Sequence, residues 1–234
     1  MFEAGYGFAK AIIVPWMKLH RTHIEGREHI PSQGPAIIAV NHPSLFDPFA
    51  VAYALDNAGR RPRFLAKSSL FEVPVTGGIL RGARQIRVDR GTASAPASLV
   101  HAEQAIADGE VVVIFPEGTI SLEPDLSPLS PKSGVARLAL ATGAPLIPCA
   151  TWGGQWVWGY HLGFNPAPGK EVWVRFGPSI DIKRYMDLEQ DPKLWDDVSR
   201  MVMSEIAVLL ASLKAAKPWT PVPVKKGKVK GGAR

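Results

Sequence analysis

Residues 36–48, with the sequence AIIAVNHPSLFDP, decide the fold of this chain. They begin with an unbroken apolar run from Ala36 to Val40, which follows Gly34-Pro35 and is typical of a buried strand. Asp47-Pro48 comes soon after the run and indicates a helix N-terminus, because Asp favours the cap and Pro favours the first helical position. We therefore expect His42 in the turn after the strand and Asp47 as the cap of the returning helix. Loops of this kind hold the ligands of open α/β sheets.

His42 and Asp47 form a pair with a chemical meaning. A neutral imidazole can take a proton from a hydroxyl when a carboxylate holds its other ring nitrogen, and several acyl-transfer enzymes use this arrangement. The alternative is a loop histidine beside an ordinary helix cap, and the stretch alone leaves both interpretations open. Ser44 lies between the two residues and is interpreted as a hydroxyl that stabilises the turn rather than as a nucleophile.

A second stretch decides between these interpretations. The apolar run 111–115, VVVIF, is followed at once by PEGT at residues 116–119. In this order, NHPSLFD and FPEGT resemble the motifs of the glycerolipid acyltransferase family, which includes the lysophosphatidic acid acyltransferases. The first family motif, a His, four residues and an Asp, is matched by His42 and Asp47. The resemblance covers roughly residues 35–150.

Two further motifs of that family have matches here. GARQIRVDR contains Gly82 and Arg90, and it corresponds to the second motif, which ends in an arginine. PLIPCA contains Pro145 and Pro148, and it corresponds to the fourth, a proline in an apolar strand. All the matches follow the family's order, which makes the resemblance far more specific than any one motif.

The resemblance implies an acyltransferase in which His42 deprotonates the free hydroxyl of a lyso-lipid while Asp47 orients the imidazole. The hydroxyl oxygen then attacks the thioester of acyl-CoA or an acyl carrier protein directly. The implied acceptor is a lysophospholipid, most directly 1-acyl-sn-glycerol-3-phosphate, and the product phosphatidic acid belongs to phospholipid biosynthesis. No metal or redox cofactor is implied. A catalytically inactive lipid-binding protein is the alternative of another class, and the intact His42, Asp47 and Glu117 argue against it.

The acceptor's phosphate has three candidate partners. The resemblance implies that Lys67 lies near it. Arg90, at the end of the second motif, is the next candidate, and Lys132, which precedes the helix after the Glu-Gly-Thr loop, is a candidate of second rank. A guanidinium such as that of Arg90 suits this role, because it binds phosphate bidentately and keeps its charge. The alternatives are a solvated lysine at a strand end for Lys67 and an ion pair for Arg90, either with Asp89 or between strands.

The Glu-Gly-Thr motif supplies the remaining substrate-binding candidates: Glu117, Gly118 and Thr119. Glu117 is expected either to hold an acceptor hydroxyl or to brace the loop. Backbone amides near His42 or around Gly118 are the candidates for an oxyanion site. One departure from the family concerns the acceptor directly. Most members carry an arginine after Glu-Gly-Thr, where this chain has Ile120. Another cation therefore compensates, or the acceptor is a different lyso-lipid or glycolipid.

Composition favours one domain without metal or disulfides. The chain has 234 residues, of which 46% are hydrophobic, and no change of composition occurs between residues 21 and 217. We expect an acyltransferase domain at 21–217, an N-terminal segment at 1–20 and a basic tail at 218–234. A single cysteine, Cys149 in an apolar run, excludes a disulfide framework and is interpreted as a small buried residue. No cysteine pair or HExxH pattern indicates a zinc site.

The net charge of +6 suits either nucleic acid or an anionic membrane surface. No nucleic-acid-binding motif occurs, so the membrane is the expected partner. Residues 2–19 are aromatic-rich and flanked by cations, which is typical of a monotopic anchor, although a helix packed on the core explains them equally well. Pro15 interrupts the longest apolar run there, and no secretory signal is apparent. The expected location is peripheral, at the cytoplasmic face of a membrane.

The order of the elements predicts an α/β sandwich, a mixed sheet with helices on both faces. Further strands are expected at 22–26, 63–67, 85–88 and 146–152, with an edge strand at 171–177. Helices are expected at 98–108, at 135–142 and from 192 to 217. The loop at 116–131 is long enough to be functional, and we interpret it as a lid or a wall of the acceptor site.

Overall fold

The apolar runs of the sequence form the centre of one mixed sheet. The structure is a computed structural model and describes residues 2–89 and 95–219. Its strands are β1 (Arg21–Glu25), β2 (Ala36–Val40), β3 (Pro62–Lys67), β4 (Ile86–Val88), β5 (Val111–Ile114), β6 (Leu146–Trp152), β7 (Gly163–Phe164) and β8 (Glu171–Phe176). Its helices are α1 (Phe2–Lys18), α2 (Asp47–Asn57), α3 (Thr76–Gly82), α4 (Ala95–Ala107), α5 (Gly134–Thr142), α6 (Gln155–Trp158), α7 (Lys183–Met186) and α8 (Pro192–Ala216).

Within the described residues the sheet has seven strands in the order β1-β8-β6-β2-β5-β3-β4. Neighbouring strands are parallel except β6 and β8, which are antiparallel. The central strand β2 pairs with β5 on one side and β6 on the other, and all its residues are buried. The predicted mixed sheet between helices is confirmed. Burial on both faces explains why these strands are unbroken apolar runs.

The prediction that residues 171–177 form an edge strand is wrong. Strand β8 lies between β1 and β6, and it pairs with both of them. Its side chains alternate because Val172, Val174 and Phe176 are buried on one face, while the other face is only partly covered. Alternation therefore reports the covering of a strand's faces and not the number of its neighbours.

The period of two along β2 divides the core between the two faces. Ile37 and Ala39 pack with α4, α5 and α8, whereas Ile38 and Val40 pack on the side of α1 and α2. A third, smaller cluster surrounds Trp152 at the end of β6. The helices thus cover both faces, and the carboxyl ends of the parallel strands β2 and β5 are left at one edge.

Helix α1 packs on the domain. Met17 is fully buried, and Lys10 and Tyr6 both donate to the Asp56 carboxylate of α2, at 2.9 and 3.1 Å. The packed alternative for the N-terminal segment is therefore confirmed. Phe8 and Ile12 on the same helix remain about half exposed, at 56% and 49%. No helix in the described part of the chain is long and apolar enough to cross a membrane.

Helix α8 begins as its sequence predicts. The Asp191 carboxylate accepts the backbone N–H of Leu194 at 2.7 Å, which caps the first turn, and Pro192 occupies the first helical position. The helix buries an apolar stripe that includes Val198, Val202 and Ile206. Residues 220–234, which include most of the predicted basic tail, lie outside the described residues.

Candidate active site

The site forms where β2 and β5 end side by side. Ala39 of β2 is paired with Ile114 of β5, so the chain segments that follow leave the sheet at the same edge. One segment carries His42 and the other carries Glu117. The two segments are linked, because the backbone N–H of His42 donates to the side-chain oxygen Oε1 of Glu117 at 2.8 Å. The structure therefore brings the first and third motifs into direct contact.

The predicted pairing of His42 and Asp47 is present in the structure. The imidazole Nδ1 lies 3.0 Å from Asp47 Oδ2. The same carboxylate accepts the Ser44 N–H at 2.7 Å and the Ser44 hydroxyl at 2.5 Å. The Asp47 side chain is 1% exposed, whereas that of His42 is 14% exposed. With the Nδ1 proton directed at the carboxylate, the lone pair is on Nε2 and available to a substrate.

Asp47 does not cap its helix, contrary to expectation. It is the first residue of α2, the cap position belongs to Phe46, and no side chain accepts a hydrogen bond there. The carboxylate instead faces back into the turn, where His42 and Ser44 are its donors. The Asp-Pro pair predicts Pro48 as the first helical residue, whereas the helix begins one residue earlier, at Asp47. The carboxylate of this Asp stabilises the turn instead of the helix end. Ser44 stabilises the turn, as expected of it.

Aromatic rings fix the plane of the imidazole. The His42 ring stacks on Phe115 with centroids 4.1 Å apart and an interplanar angle of 20°. Phe64 of the neighbouring strand β3 continues the stack, with its centroid 6.2 Å from that of Phe115. The imidazole is thus held by Asp47 at its edge and by Phe115 on its face.

Glu117 braces the loop, which is one of its two expected roles. It is only 2% exposed, and its second oxygen, Oε2, accepts the Leu129 N–H at 2.8 Å. Burial raises the pKa of Glu117, and the two backbone donors act against that rise. The carboxylate thus ties both limbs of the 116–131 loop to His42. A direct contact with an acceptor hydroxyl stays a prediction.

The residues after Glu117 form a tight turn at the mouth of the site. Gly118 has a φ of +69°, which is readily accessible only to glycine, and its N–H donates to Phe115 O at 2.9 Å. Thr119 is exposed, and the Ser121 N–H donates to His42 O at 2.8 Å. The amides of His42, Ser44 and Gly118 are thus engaged inside the protein. An oxyanion site at these amides would require an exchange of partners.

The lysine candidates lie along the same edge of the sheet. Lys67 is exposed at the end of β3, next to β5. Lys132 is exposed on the far limb of the loop, and its N–H donates to Pro116 O at 2.8 Å. A Cβ built on Gly118 would lie 3.5 Å from the Lys132 side chain, so this lysine flanks the Glu-Gly-Thr turn. Arg90, the third phosphate candidate, lies outside the described residues.

Two features of the site were not predicted. The Asn41 side chain exchanges two hydrogen bonds with the backbone of Thr151, at 2.7 and 3.1 Å, and so fixes the end of β2 to β6. Gly154 packs against the carboxylate, because a Cβ there would lie 2.5 Å from Ser44 Oγ and 3.0 Å from Asp47 Oδ1. The Gly153-Gly154 pair after an apolar strand was the available signal for the second feature.

A buried thiol and a cavity are not among the groups that hold the His42 imidazole. Cys149 is fully buried in β6, and burial raises the pKa of its thiol, as expected for a structural residue. A cavity of about 240 Å³ lies at the opposite edge of the sheet, where β3 and β5 begin. Two guanidinium groups of its lining are engaged: Arg60 donates to backbone carbonyls, and Arg63 donates to the Glu110 carboxylate. This cavity is separate from the site around His42.

Comparisons with known proteins agree with the motifs. The model of the family described as Acyltransferase matches residues 21–152. The 1-acyl-sn-glycerol-3-phosphate acyltransferase of Borreliella burgdorferi is 26% identical over 200 residues, which are 85% of this chain and 75% of that protein. The chloroplastic 1-acyl-sn-glycerol-3-phosphate acyltransferase BAT2 of Brassica napus is 30% identical over 136 residues, 57% of this chain but only 38% of the plant protein.

A solved structure shares the fold. It is the crystal structure of the 1-acyl-sn-glycerophosphate acyltransferase PlsC from Thermotoga maritima. The TM-score is 0.68 at 24% identity, and the match covers 94% of this chain and 81% of that one. A match over 94% of the chain extends beyond residues 21–152, the part that the family model covers.

Proposed function

The chain belongs to the acyltransferase family and is an O-acyltransferase, and from this premise we propose its substrates. It transfers a fatty acyl group from acyl-CoA or an acyl carrier protein to the free hydroxyl of a lysophospholipid. The first candidate acceptor is 1-acyl-sn-glycerol-3-phosphate, which gives phosphatidic acid. The observation that carries this proposal is the His42 imidazole, held by a buried carboxylate at the end of the central strands.

The proposed reaction is a direct transfer. Nε2 of His42 takes the proton of the acceptor hydroxyl as its oxygen attacks the thioester carbonyl, and Asp47 stabilises the imidazolium that forms. The tetrahedral intermediate collapses with loss of the thiolate, which receives the proton from His42. Two observations support transfer without an acyl-enzyme: the Ser44 hydroxyl donates to Asp47, and the Cys149 thiol is fully buried. A thioester is already activated, so we propose no metal or redox cofactor.

For the acceptor we propose a phosphate site on the side of Lys67 and Lys132, completed by Arg90. The exposure of both lysines on the edge that carries His42 supports this assignment. Ile120, where most relatives of the family carry arginine, supports a second candidate acceptor, a lyso-lipid or glycolipid with a different headgroup. The two candidate acceptors differ in one respect: the lysines are needed to bind a phosphate, and an acceptor without one does not depend on them.

For the surroundings we propose peripheral association with the cytoplasmic face of an anionic membrane. The exposed side chains of Phe8 and Ile12 on α1 support an apolar contact. The net charge of +6 supports an electrostatic one.

The test is an assay of purified protein with labelled acyl-CoA and a panel of lyso-lipids. We expect transfer to 1-acyl-sn-glycerol-3-phosphate, and we expect His42→Ala to reduce kcat by about 10²–10⁴-fold, as removal of a general base does. Lys67→Met should raise KM for a phosphate-bearing acceptor more than KM for the donor. His42→Ala with more than about a tenth of the wild-type kcat would contradict the mechanism. Transfer to an acceptor that bears no phosphate would favour the second candidate.

A further inference from the structure

The loop between β5 and α5 is fastened to His42 at its near end. Glu117 accepts the His42 N–H, and the Ser121 N–H donates to the His42 carbonyl at 2.8 Å. The loop therefore holds both polar groups of the His42 backbone. The Ser121 hydroxyl also donates to Ser127 O at 2.7 Å and closes the loop on itself. Any displacement of residues 121–127 is thus transmitted to the catalytic turn.

The tip of the loop is buried in the third hydrophobic cluster, the one around Trp152. Leu126 is 3% exposed and packs with Trp152, Leu210 and Leu213. Its φ is +56°, a left-handed conformation that is uncommon for a residue other than glycine. Such a conformation persists only when its surroundings hold it. The tip of the loop therefore needs a partner that fixes it.

That partner comes from the end of α8, a part of the chain that no sequence motif covers. The indole N–H of Trp219 donates to Pro124 O at 2.8 Å. The Lys214 ammonium donates to Asp125 O at 3.1 Å and to Leu126 O at 3.4 Å. Burial lowers the pKa of Lys214, and the Asp125 carboxylate opposes that shift. We call Lys214 and Trp219 the clamp.

The clamp is itself fixed to the sheet. Trp152, fully buried at the end of β6, donates its indole N–H to Lys217 O at 2.8 Å. The Trp219 ring meets the edge of the Trp156 ring, with centroids 5.6 Å apart. Strand β6 also pairs with β2, the strand that leads into His42. The paired strands β2 and β6 therefore support both the loop tip and the catalytic turn.

We propose that the clamp is a positioning element for acyl transfer. Trp219 and Lys214 hold the 116–131 loop where Glu117 and Ser121 fix the backbone of His42 from both sides. They touch no reacting atom and act through the loop. This inference rests on the proposed role of His42 as the base. A displacement of a catalytic group by about 1 Å can cost about 10²-fold in rate, so a loosened loop lowers kcat.

The first test removes one donor and leaves the ring. Trp219→Phe deletes the indole N–H that binds Pro124. Its matched control is Trp195→Phe, the same change at the start of α8, where the indole N–H donates to Gln190 Oε1 at 3.3 Å. We expect kcat of Trp219→Phe to fall about tenfold with KM for the acyl donor unchanged, and Trp195→Phe to retain the wild-type kcat. Lys214→Met should likewise lower kcat, and Lys193→Met, a change at an exposed lysine of the same helix, should retain the wild-type kcat.

The second test measures the loop itself by hydrogen exchange of intact protein. The Ser121 and Leu129 amides should exchange faster in Trp219→Phe than in Trp195→Phe. Unchanged exchange would overturn the clamp. Faster exchange with an unchanged kcat would overturn its role in positioning. If wild-type protein transfers no acyl group to any lyso-lipid, the proposed function fails and the positioning role fails with it, while exchange still decides whether the clamp holds the loop.

Discussion

At the scale of single residues, the buried carboxylate of Asp47 organises the catalytic turn. It accepts hydrogen bonds from the imidazole and from both polar groups of Ser44. The neutral amide of an asparagine at this position would not stabilise the imidazolium, and its NH₂ group could not accept a hydrogen bond. Asp47→Asn should therefore lower kcat by about 10²–10⁴-fold while KM for the acyl donor changes little.

The control for this prediction is Asp56→Asn. Asp56 lies on the same helix, and its carboxylate accepts from Tyr6 and Lys10. This variant should keep the wild-type kcat. A comparable loss of kcat in both variants would show that α2 acts only as a structural element, and the assignment of Asp47 would then be wrong.

Glu117 links the site to the pH dependence of stability. Burial raises its pKa in the folded protein above the value of the unfolded chain, about 4.3. Protonation therefore favours the folded state, and this contribution is lost as pH rises through the raised pKa. The glutamine side chain of Glu117→Gln does not titrate. The free energy of unfolding of the wild type minus that of the variant should therefore decrease as pH rises from the unfolded pKa through the raised one. Urea unfolding from about pH 4 to pH 7 measures the difference, and an increase with pH would contradict the assignment.

At the scale of elements, the strands that build the site were the easiest to predict. Unbroken apolar runs identified β2 and β5 because both strands are buried on both faces. The position of β8 was not predictable, since its partner β1 is distant in sequence, as the pairing of Arg21 with Glu171 shows. The clamp was not predictable either, for a different reason. Its contacts join an irregular loop to a helix end, and neither leaves a periodic signal.

The turn between β6 and α6 is the element that closes the site from behind. Gly154→Ala would place a Cβ within 2.5 Å of Ser44 Oγ, and both Ser44 and Asp47 are buried. We expect about 1–3 kcal/mol of lost stability from overpacking and up to about a 10²-fold loss of kcat from a displaced carboxylate. Gly78→Ala is the matched control, because a Cβ on that glycine meets nothing within 4 Å. Wild-type kcat in Gly154→Ala would show that the turn yields without moving Asp47.

At the scale of the whole molecule, apolar exposure and charge should contribute separately to membrane binding. Helix α1 is packed on the domain, yet Phe8 and Ile12 remain about half exposed. Full burial of one such side chain is worth about 1.5–3 kcal/mol. Replacing both Phe8 and Ile12 by Ser should therefore weaken binding to vesicles more than tenfold, at low and at high salt alike. Val208→Ser is the control, since Val208 is 68% exposed on α8.

The net charge of +6 predicts a second, salt-dependent contribution. Exposed charges are screened over about 8 Å at physiological ionic strength and over about 3 Å at 1 M salt. Binding of wild-type protein to vesicles that contain anionic lipid should therefore fall as salt rises, and binding to neutral vesicles should not. The α1 variant should keep this salt slope, because it retains every charge. Co-sedimentation at increasing salt measures both effects. A slope that disappears with Phe8 and Ile12 would mean that α1, rather than the charge of the whole molecule, governs the encounter with the membrane.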